Sequence, residues 1–390
     1  MAGVKRIALG GIAWGALVAA GLVACGGGGG GGSAVSGSTI AAEGGVTLLG
    51  NCEMFPAQAV FNTPIDDTSR FPAHANSAAW KAWIGTGTPF HADWWRSEDP
   101  TRRDAYYGMP VNLVDGSAAT TDWANVLYDY SGTGAVSGAG WPHESDCATA
   151  SGDGYAITRG CSSVPVAQRR FPFPRANLKN EGGTCGDPST CGDHHVLVVE
   201  QGACRLWEGY HTYNVGGQWY TLSSAAWDLR SLALRPSGWT AADAAGLPIT
   251  PFLAKAAEAS SGEIRHALRV TLRDSVMARS FVWPARHGAG SDTPGGVPFG
   301  AVLRLRADFP VPEGWTTQAK AIANAAKRYG LYVADIGSDF YVQGEPSVQW
   351  EEATFRQLGA ITMGDMDFVD LGSVTRDARF SADSMAARWP

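Results

Sequence analysis

The chain has 390 residues, a formal net charge of −7 and no run of basic residues, so we expect no nucleic-acid partner. Charged residues make up only 17% of it, whereas glycine (50 residues) and tryptophan (15 residues) are abundant. This composition is typical of an exported protein rich in strands and loops. We therefore predict a mainly β fold, a β-sandwich or jelly-roll-like domain with a few inserted helices and long disulfide-pinned loops.

The N-terminus resembles a bacterial lipoprotein signal peptide over residues 1–25. A short basic segment precedes an apolar run that ends at Leu22-Val-Ala-Cys25. The run is short for a membrane span, which makes an uncleaved anchor helix the weaker alternative. Cleavage would leave Cys25 as a lipidated N-terminus, the protein's only expected contact with a membrane. Gly26 after this cysteine favours the bacterial outer membrane or cell surface as the location.

A glycine- and serine-rich segment over residues 26–45 follows the signal. It offers almost no side chains to bury and is predicted to be a flexible tether. Residues 46–390 are then predicted to form a single large β-rich domain.

Six further cysteines indicate disulfides, because an even number in an exported chain is typical of a disulfide framework. We favour two local pairs and one pair that ties the N-terminal part to the middle of the chain. The expected pairs are Cys147 with Cys161, Cys185 with Cys191, and Cys52 with Cys204. A zinc site is the alternative, but the chain has no Cys-x-x-Cys pair, and we predict neither a metal nor a cofactor.

The first half of the domain is predicted to hold one helix, from Asn76 to Ile84, among extended and irregular segments. The segment around Trp94 and Trp95 could line a sugar cleft, although an irregular packed loop is the simpler interpretation. Residues 131–185 lack periodicity and are predicted to be long loops. Within them, prolines exclude helix from residues 169–178, which are expected to be extended.

The segment CGDPSTCGDHHVLVVEQGACRLWEGYHTY, residues 185–213, predicts the central β-hairpin of the domain. Its strands are expected over residues 194–201 and 204–211, joined by a two-residue type II′ turn at Gly202-Ala203. This turn places Glu200 opposite Arg205 as a cross-strand ion pair.

The predicted register sorts the hairpin side chains onto two faces. One face carries His195, Leu197, Val199, Leu206, Glu208 and Tyr210, and the other carries His194, Val196, Val198, Trp207 and His211. His195 then stands opposite Tyr210 and one step from Glu208. The functional interpretation is a His/Glu/Tyr cluster on a concave sheet, and the alternative is a hairpin whose polar ends are merely solvated.

The second half is predicted to alternate strands and helices. Strands are expected over residues 219–224, 263–272, 280–287, 301–309 and near Phe368, and helices over 240–246, 252–259, 316–329 and 351–358. His266 lies on the apolar face of its strand, either as a core histidine or as a tuned base. Asp335 and Asp339 flank a strand-to-strand turn, where acids serve equally well as site residues or as turn formers.

Several runs of the second half resemble a family of secreted bacterial proteins and lipoproteins. These runs are ALRPSGWTAADAAGLPI, GEIRHALRVTL, WPARHGAGSD and KRYGLYVADIGSDFYVQG. The resemblance covers roughly residues 185–370 and is weaker for CEMFPAQAVFNTPID near the N-terminus. It implies no established activity, so it assigns no catalytic role to any residue.

The chain lacks the common catalytic fingerprints, such as Gly-x-Ser-x-Gly, His-Glu-x-x-His or a phosphate-binding loop. His194 and His195 with Glu200 resemble the cupin metal motif in part. Adjacent histidines on a strand point to opposite faces, however, which makes a metal oxygenase a weak alternative.

The favoured hypothesis is an enzyme that acts on an extracellular polymer, with polysaccharide as the preferred class. Glycoside hydrolysis needs two carboxyl groups in one cleft, which Glu208 could supply with Asp228, Asp335 or Asp339. Lyase chemistry would instead use a base and an acid, with an arginine that neutralises a uronate carboxylate. The candidates for these lyase roles are His195, His266, Tyr210, Arg230 and Arg286, and His287, Trp94 and Trp95 are expected to contact substrate.

Two other hypotheses stay open. A non-catalytic surface lipoprotein that binds glycan or a protein partner needs only the aromatic residues and the tether. An exported peptidase of unusual type could use a carboxyl group on the same β-rich scaffold.

Overall fold

The computed structural model describes residues 38–40, 45–102, 105–135 and 138–389. The predicted signal peptide with Cys25 and most of the predicted tether lie outside these residues. Within the described part, every helix is too short or too polar to span a bilayer.

Twenty-one strands, five α-helices and six short 3-10 helices make up the regular structure of the described residues. In chain order the strands are β1 Ser38–Ile40, β2 Thr47–Leu49, β3 Cys52–Glu53, β4 His91–Asp93, β5 Val111–Val114, β6 Thr121–Leu127, β7 Asp146–Ser151, β8 Gly154–Arg159, β9 Arg170–Pro174, β10 Val196–Glu200, β11 Arg205–Tyr210, β12 Tyr213–Val215, β13 Gln218–Tyr220, β14 Ser223–Asp228, β15 Leu268–Leu272, β16 Met277–Phe281, β17 Val297–Phe299, β18 Val302–Leu305, β19 Leu331–Ile336, β20 Tyr341–Gln343 and β21 Met366–Val369. The helices are α1 Ser77–Ile84, α2 Ala256–Ser261, α3 Thr317–Arg328, α4 Glu352–Leu358 and α5 Gly372–Thr375.

The central sheet has the order β14-β11-β10-β5, and the predicted hairpin forms its middle. Glu200 pairs with Arg205 and Leu197 with Glu208, so the predicted register is confirmed. Strand β10 is buried along its whole length, as expected for a continuous apolar run that packs on both faces. Leu197 contributes to one hydrophobic core and Val198 to a second core on the opposite face.

A six-stranded sheet covers the second of these cores, with the order β12-β13-β6-β9-β7-β8. Phe171 and Phe173 of β9 pack there with Trp207 of the central sheet. Strands β7 and β8 form an antiparallel hairpin, which corrects the prediction of long loops over residues 131–185. The period-2 signal is weak there because most β8 side chains are only half-buried.

The other core lies between the central sheet and a third sheet of order β21-β18-β19-β15-β20-β4. Helix α3 packs its alanine-rich face and Ile322 into this core. The helix begins where the Thr316 hydroxyl accepts a hydrogen bond from the Ala319 amide over 3.1 Å, and it is followed by Gly330 at a φ of 80°. Both ends agree with the prediction.

Three disulfides join the pairs that the sequence predicts. Cys52 binds Cys204, Cys147 binds Cys161 at the β7–β8 hairpin, and Cys185 binds Cys191. The first links strand β3, in the small β1-β2-β3 sheet, to the turn of the central hairpin. With 29% strand and 16% helix, the protein is mainly β, as predicted, and the jelly-roll part of that prediction stays a prediction.

The structure differs from the prediction in the type of the hairpin turn and in the ends of two strands. Cys204, at a φ of 50°, occupies the left-handed region in place of Gly202, so the turn is not type II′. It is a four-residue turn closed by a 3.2 Å bond from the Cys204 amide to the Gln201 carbonyl. Strand β10 begins at Val196, so His194 and His195 lie before the strand in which they were predicted. Of the strand predicted over residues 263–272, only the second half forms, and the first half is irregular.

The predicted helix over residues 240–246 is wrong, because this segment forms a series of turns. The sequence Thr240-Ala-Ala-Asp243 resembles a helix capping box with Asp243 as the capping acid. In the structure Asp243 is fully buried and bonds instead to Arg269 of β15. A long-range ion pair therefore outweighs the local capping pattern.

Candidate functional site

A cavity of about 560 Å³ opens where β11 and β14 of the central sheet meet the end of β19. The turns over residues 240–244 and 287–290 complete its wall. Its lining includes Trp141, Glu144, Asp193, Tyr210, Ser223, Thr240, Arg279, His287 and Asp335. Concave sites of this size with a few convergent polar groups are typical of small-ligand and substrate sites.

Asp335 is the most perturbed acid of this cavity. Its side chain is 23% exposed, and its Oδ2 lies 3.5 Å from Nη2 of Arg269. Burial and the nearby Asp243 raise the pKa of Asp335 to about 7, although Arg269 opposes the rise. The carboxyl group can therefore hold or release a proton near neutral pH.

Arg269 and Asp243 form a sealed ion pair behind Asp335. Nε and Nη2 of Arg269 both lie 3.2 Å from Oδ2 of Asp243, and both side chains are buried. Burial raises the pKa of Asp243, and Arg269 opposes this. The guanidinium thus stands between two carboxyl groups, of which Asp335 alone lines the cavity.

Tyr210 and Asp193 form a second polar pair on the cavity wall. Both residues line the cavity, and the Asp193 carboxylate is close enough to the Tyr210 phenol to affect its pKa. Burial and the negative charges of Asp193 and Asp335 raise the pKa of Tyr210, so its phenol stays protonated. Asp193 itself is exposed to solvent.

His287 presents one ring nitrogen as a hydrogen-bond acceptor. Its Nδ1 lies 2.9 Å from the carbonyl oxygen of Ala244, which can only accept, so Nδ1 carries a proton. In the neutral ring Nε2 is then an acceptor. A half-buried histidine in this state can accept a hydrogen bond from a substrate hydroxyl.

Trp141 and Glu144 lie at the rim. The Trp141 side chain is 42% exposed, which is unusual for so large an apolar group. Glu144 accepts a 3.0 Å hydrogen bond from the Thr240 amide and lies 3.2 Å from His143. The rim thus combines an exposed indole ring with a fixed carboxylate.

His195, the predicted centre of the site, is sealed behind the cavity at 1% exposure. Its Nδ1 lies 2.6 Å from Oε2 of Glu181 and its Nε2 lies 3.0 Å from the Ala242 carbonyl oxygen. Both partners are acceptors, so both nitrogens donate and the ring is an imidazolium. Burial alone would lower the pKa of His195, but Glu181 offsets it and raises that pKa to about 9.

Glu208 is also sealed, with no exposed surface. Its Oε1 accepts hydrogen bonds from the Thr250 amide at 2.8 Å and the Thr250 hydroxyl at 2.7 Å, and its Oε2 accepts from the Ile249 amide at 2.9 Å. Burial raises the pKa of Glu208, and these bonds oppose the rise. His195 and Glu208 therefore anchor the backbone of residues 242–250 and do not face the cavity.

The predicted residues of the second half are only partly brought together. Tyr210, His287 and Asp335 share the cavity. His266 is buried elsewhere, 3.1 Å from Oε2 of Glu258. Asp339 forms an ion pair with Arg273, and the exposed Asp228 accepts a 3.0 Å bond from the Arg230 amide.

The predicted substrate-binding arginines and tryptophans also lie outside the cavity. Arg230 bonds the carbonyl of Ala203 in the hairpin turn, and Arg286 is buried, 2.6 Å from the Arg235 carbonyl. Trp94 is fully buried, and Trp95 packs against Tyr107 and Phe355. These side chains contact backbone carbonyls and aromatic rings outside the cavity and do not line it.

Sequence reasoning missed several residues of the site. Asp193 directly precedes the two histidines on which the prediction concentrates, and Arg269 lies on the strand assigned to His266. Both could have been included as neighbours of residues already chosen. Trp141 and Arg279 carry no local signal, because only the tertiary fold brings them to the cavity.

Among the described residues, no group of three or more histidine, cysteine or acidic side chains has a geometry that would hold a metal ion. Comparison with protein-family models, curated proteins and solved structures finds no match for this chain. The resemblance to secreted bacterial proteins stays a prediction.

Proposed function

We propose that this protein is an exported, lipid-anchored glycoside hydrolase that acts on an extracellular polysaccharide. The observation that carries the proposal is the pairing, on one cavity, of the protonatable Asp335 with the carboxylate of Asp193. Acid-assisted cleavage of a glycosidic bond requires two carboxyl groups in one cleft, one of them protonated.

Asp335 is the proposed general acid. Its pKa near 7 leaves a large share of the group protonated at neutral pH, ready to protonate the leaving oxygen. Once the proton has left, the aspartate anion would be stabilised by Arg269, whose Nη2 lies 3.5 Å away. The buried Arg269–Asp243 pair fixes this nitrogen in place, which makes Arg269 a positioning residue.

Asp193 is the proposed second carboxyl group, as base or as nucleophile. It lines the same cavity as Asp335 and Tyr210, and it is exposed to solvent and therefore accessible to substrate. The anion would either activate a water molecule or attack the anomeric carbon, and the distance between the carboxyl groups in the substrate complex decides between these routes.

Trp141, His287 and Arg279 are proposed to bind the sugar. The exposed indole of Trp141 offers an apolar face against which a sugar ring can pack. His287 can accept from a hydroxyl group through Nε2, and Arg279 can donate to ring substituents.

A hydrolase is favoured over a lyase by the charges of the cavity. Burial and the neighbouring carboxylates raise the pKa of Tyr210, and His195 is a sealed imidazolium, which leaves His287 as the candidate lyase base among the described lining residues. The carboxylates of Glu144 and Asp193 would repel a uronate carboxylate, and Arg279 is the one lysine or arginine among the described lining residues. A neutral glycan fits these charges better.

The test is a screen of neutral and uronate polysaccharides for new reducing ends and for the ultraviolet absorbance of unsaturated products. We expect reducing ends from a neutral polysaccharide, lost at least about a hundredfold in Asp335→Asn and in Asp193→Asn. Asp228→Asn, at an exposed site outside the cavity, is the matched control. Unsaturated products would identify a lyase, glycan binding without cleavage a binding protein, and casein cleavage a peptidase, and each would contradict the proposal.

A further inference from the structure

A second cavity, of about 360 Å³, lies beside residues 45 and 46, just before strand β2. It shares no lining residue with the candidate active site. Its wall combines residues 45–46, part of the segment 57–64, the C-terminal end of α3 and Arg388.

The described residues that line this cavity carry an excess of positive charge. They include Arg265, Arg328 and Arg388 but a single acid, Glu263, although the whole chain has a net charge of −7. Nη2 of Arg265 lies 2.8 Å from Oε2 of Glu263, which accounts for one cation. The lining thus holds three positive charges against one negative charge.

The other two arginines are held by uncharged groups. Arg388 donates to the carbonyl oxygen of Ala57, and the guanidinium of Arg328 lies 5.5 Å from the ring centre of Tyr329. These contacts orient the side chains without neutralising them. Both arginines remain largely exposed.

Tyr329 places a phenol among the three arginines. Its side chain is 6% exposed and lines the cavity. Burial raises the pKa of this phenol, and Arg328, Arg265 and Arg388 all oppose the rise, which means that all three lie within electrostatic reach of it. The protonated hydroxyl can donate a hydrogen bond beside the guanidinium groups.

We infer that this cavity binds a phosphate group. The planar guanidinium donates paired hydrogen bonds to phosphate oxygens. A phosphate with up to two negative charges would balance the excess of two positive charges among the described lining residues. The group could belong to an anionic lipid or to a small phosphate ester. The predicted tether ends at this cavity, so a lipid phosphate is the source to examine first.

The experiment titrates the full-length protein with inorganic phosphate by calorimetry and, separately, with vesicles of phosphatidylcholine with and without phosphatidylglycerol. Saturable phosphate binding is expected, weakened at least about tenfold in the double variant Arg328→Gln/Arg388→Gln. The double variant Arg306→Gln/Arg376→Gln, at exposed arginines outside the cavity, should bind as the original protein does.

Glu263→Gln provides an independent variant, because it removes the one acid of the described lining and should tighten phosphate binding. Binding of both phosphate and phosphatidylglycerol vesicles through Arg328 and Arg388 would support a lipid ligand, and binding of phosphate alone a soluble one. No saturable binding, or equal binding by the two double variants, would overturn the inference.

Discussion

His195 donates from Nε2 to the carbonyl oxygen of Ala242 over 3.0 Å, which ties the central hairpin to the wall of the cavity. Two further side chains hold the same turn. The Ser223 hydroxyl donates to the Ala241 carbonyl at 2.7 Å, and His287 Nδ1 donates to the Ala244 carbonyl at 2.9 Å. The cavity wall is therefore fixed by side chains from three separate parts of the chain.

The His195–Glu181 pair should make stability depend on pH. Since folding raises the pKa of His195 from 6.5 to about 9, its contribution is fully present below pH 6.5 and is lost as pH rises through about 9. The loss corresponds to about 3 kcal/mol of unfolding free energy.

Urea unfolding of the original protein and of His195→Gln between pH 6 and pH 10 measures this contribution. The stability difference between the two proteins should shrink as pH rises. His143→Gln, at an exposed histidine, is the control. A difference that stays constant over this range would show that His195 is not an imidazolium in the folded protein.

The Glu208→Gln variant tests whether Glu208 anchors the backbone or takes part in catalysis. The amide group of glutamine would face donors at both Ile249 and Thr250, leaving at least one buried donor unsatisfied at a cost of about 1–3 kcal/mol. We expect lower thermal stability but little change in turnover per folded molecule. Glu313→Gln, on the exposed surface, is the matched control. A loss of turnover without a loss of stability would show that Glu208 has a catalytic role and would contradict the anchoring role.

The three disulfides should differ in their effect on stability. Cys52–Cys204 closes a loop with a sequence separation of 152 residues, whereas Cys185–Cys191 closes one of 6. By the loop-entropy relation, paired replacement by alanine should lower the unfolding free energy by about 5 kcal/mol for the first and about 2 kcal/mol for the second. Denaturant titrations of the two double variants test this order, and a larger loss at Cys185–Cys191 would contradict it.

The sequence predicts the hairpin well because its register depends on residues that are close together in the chain. The alternation around Glu200 and Arg205 sets the register, and Thr316 with Gly330 sets the ends of α3. It does not predict that both faces of the hairpin are covered, because the covering strands come from distant segments. His195 and Glu208 were therefore expected in an open cleft but lie beneath it.

The residues that do line the cavity depend on long-range packing. Asp193 and Asp335 lie far apart in sequence and share the cavity only because β11 and β19 end close together. The raised pKa of Asp335 comes from its burial beside Asp243, a residue whose local pattern predicts a helix cap. No short sequence motif predicts that Asp193, Asp243 and Asp335 come together.

The most direct test of the account is the titration of the Asp335 carboxyl group by carbon-13 NMR, with the signal assigned from its absence in Asp335→Asn. We expect a midpoint near pH 7, because burial and Asp243 outweigh the attraction of Arg269. A midpoint near the ordinary 3.8 would show that Asp335 is ionised at neutral pH and could not be the proton donor of the proposed hydrolase.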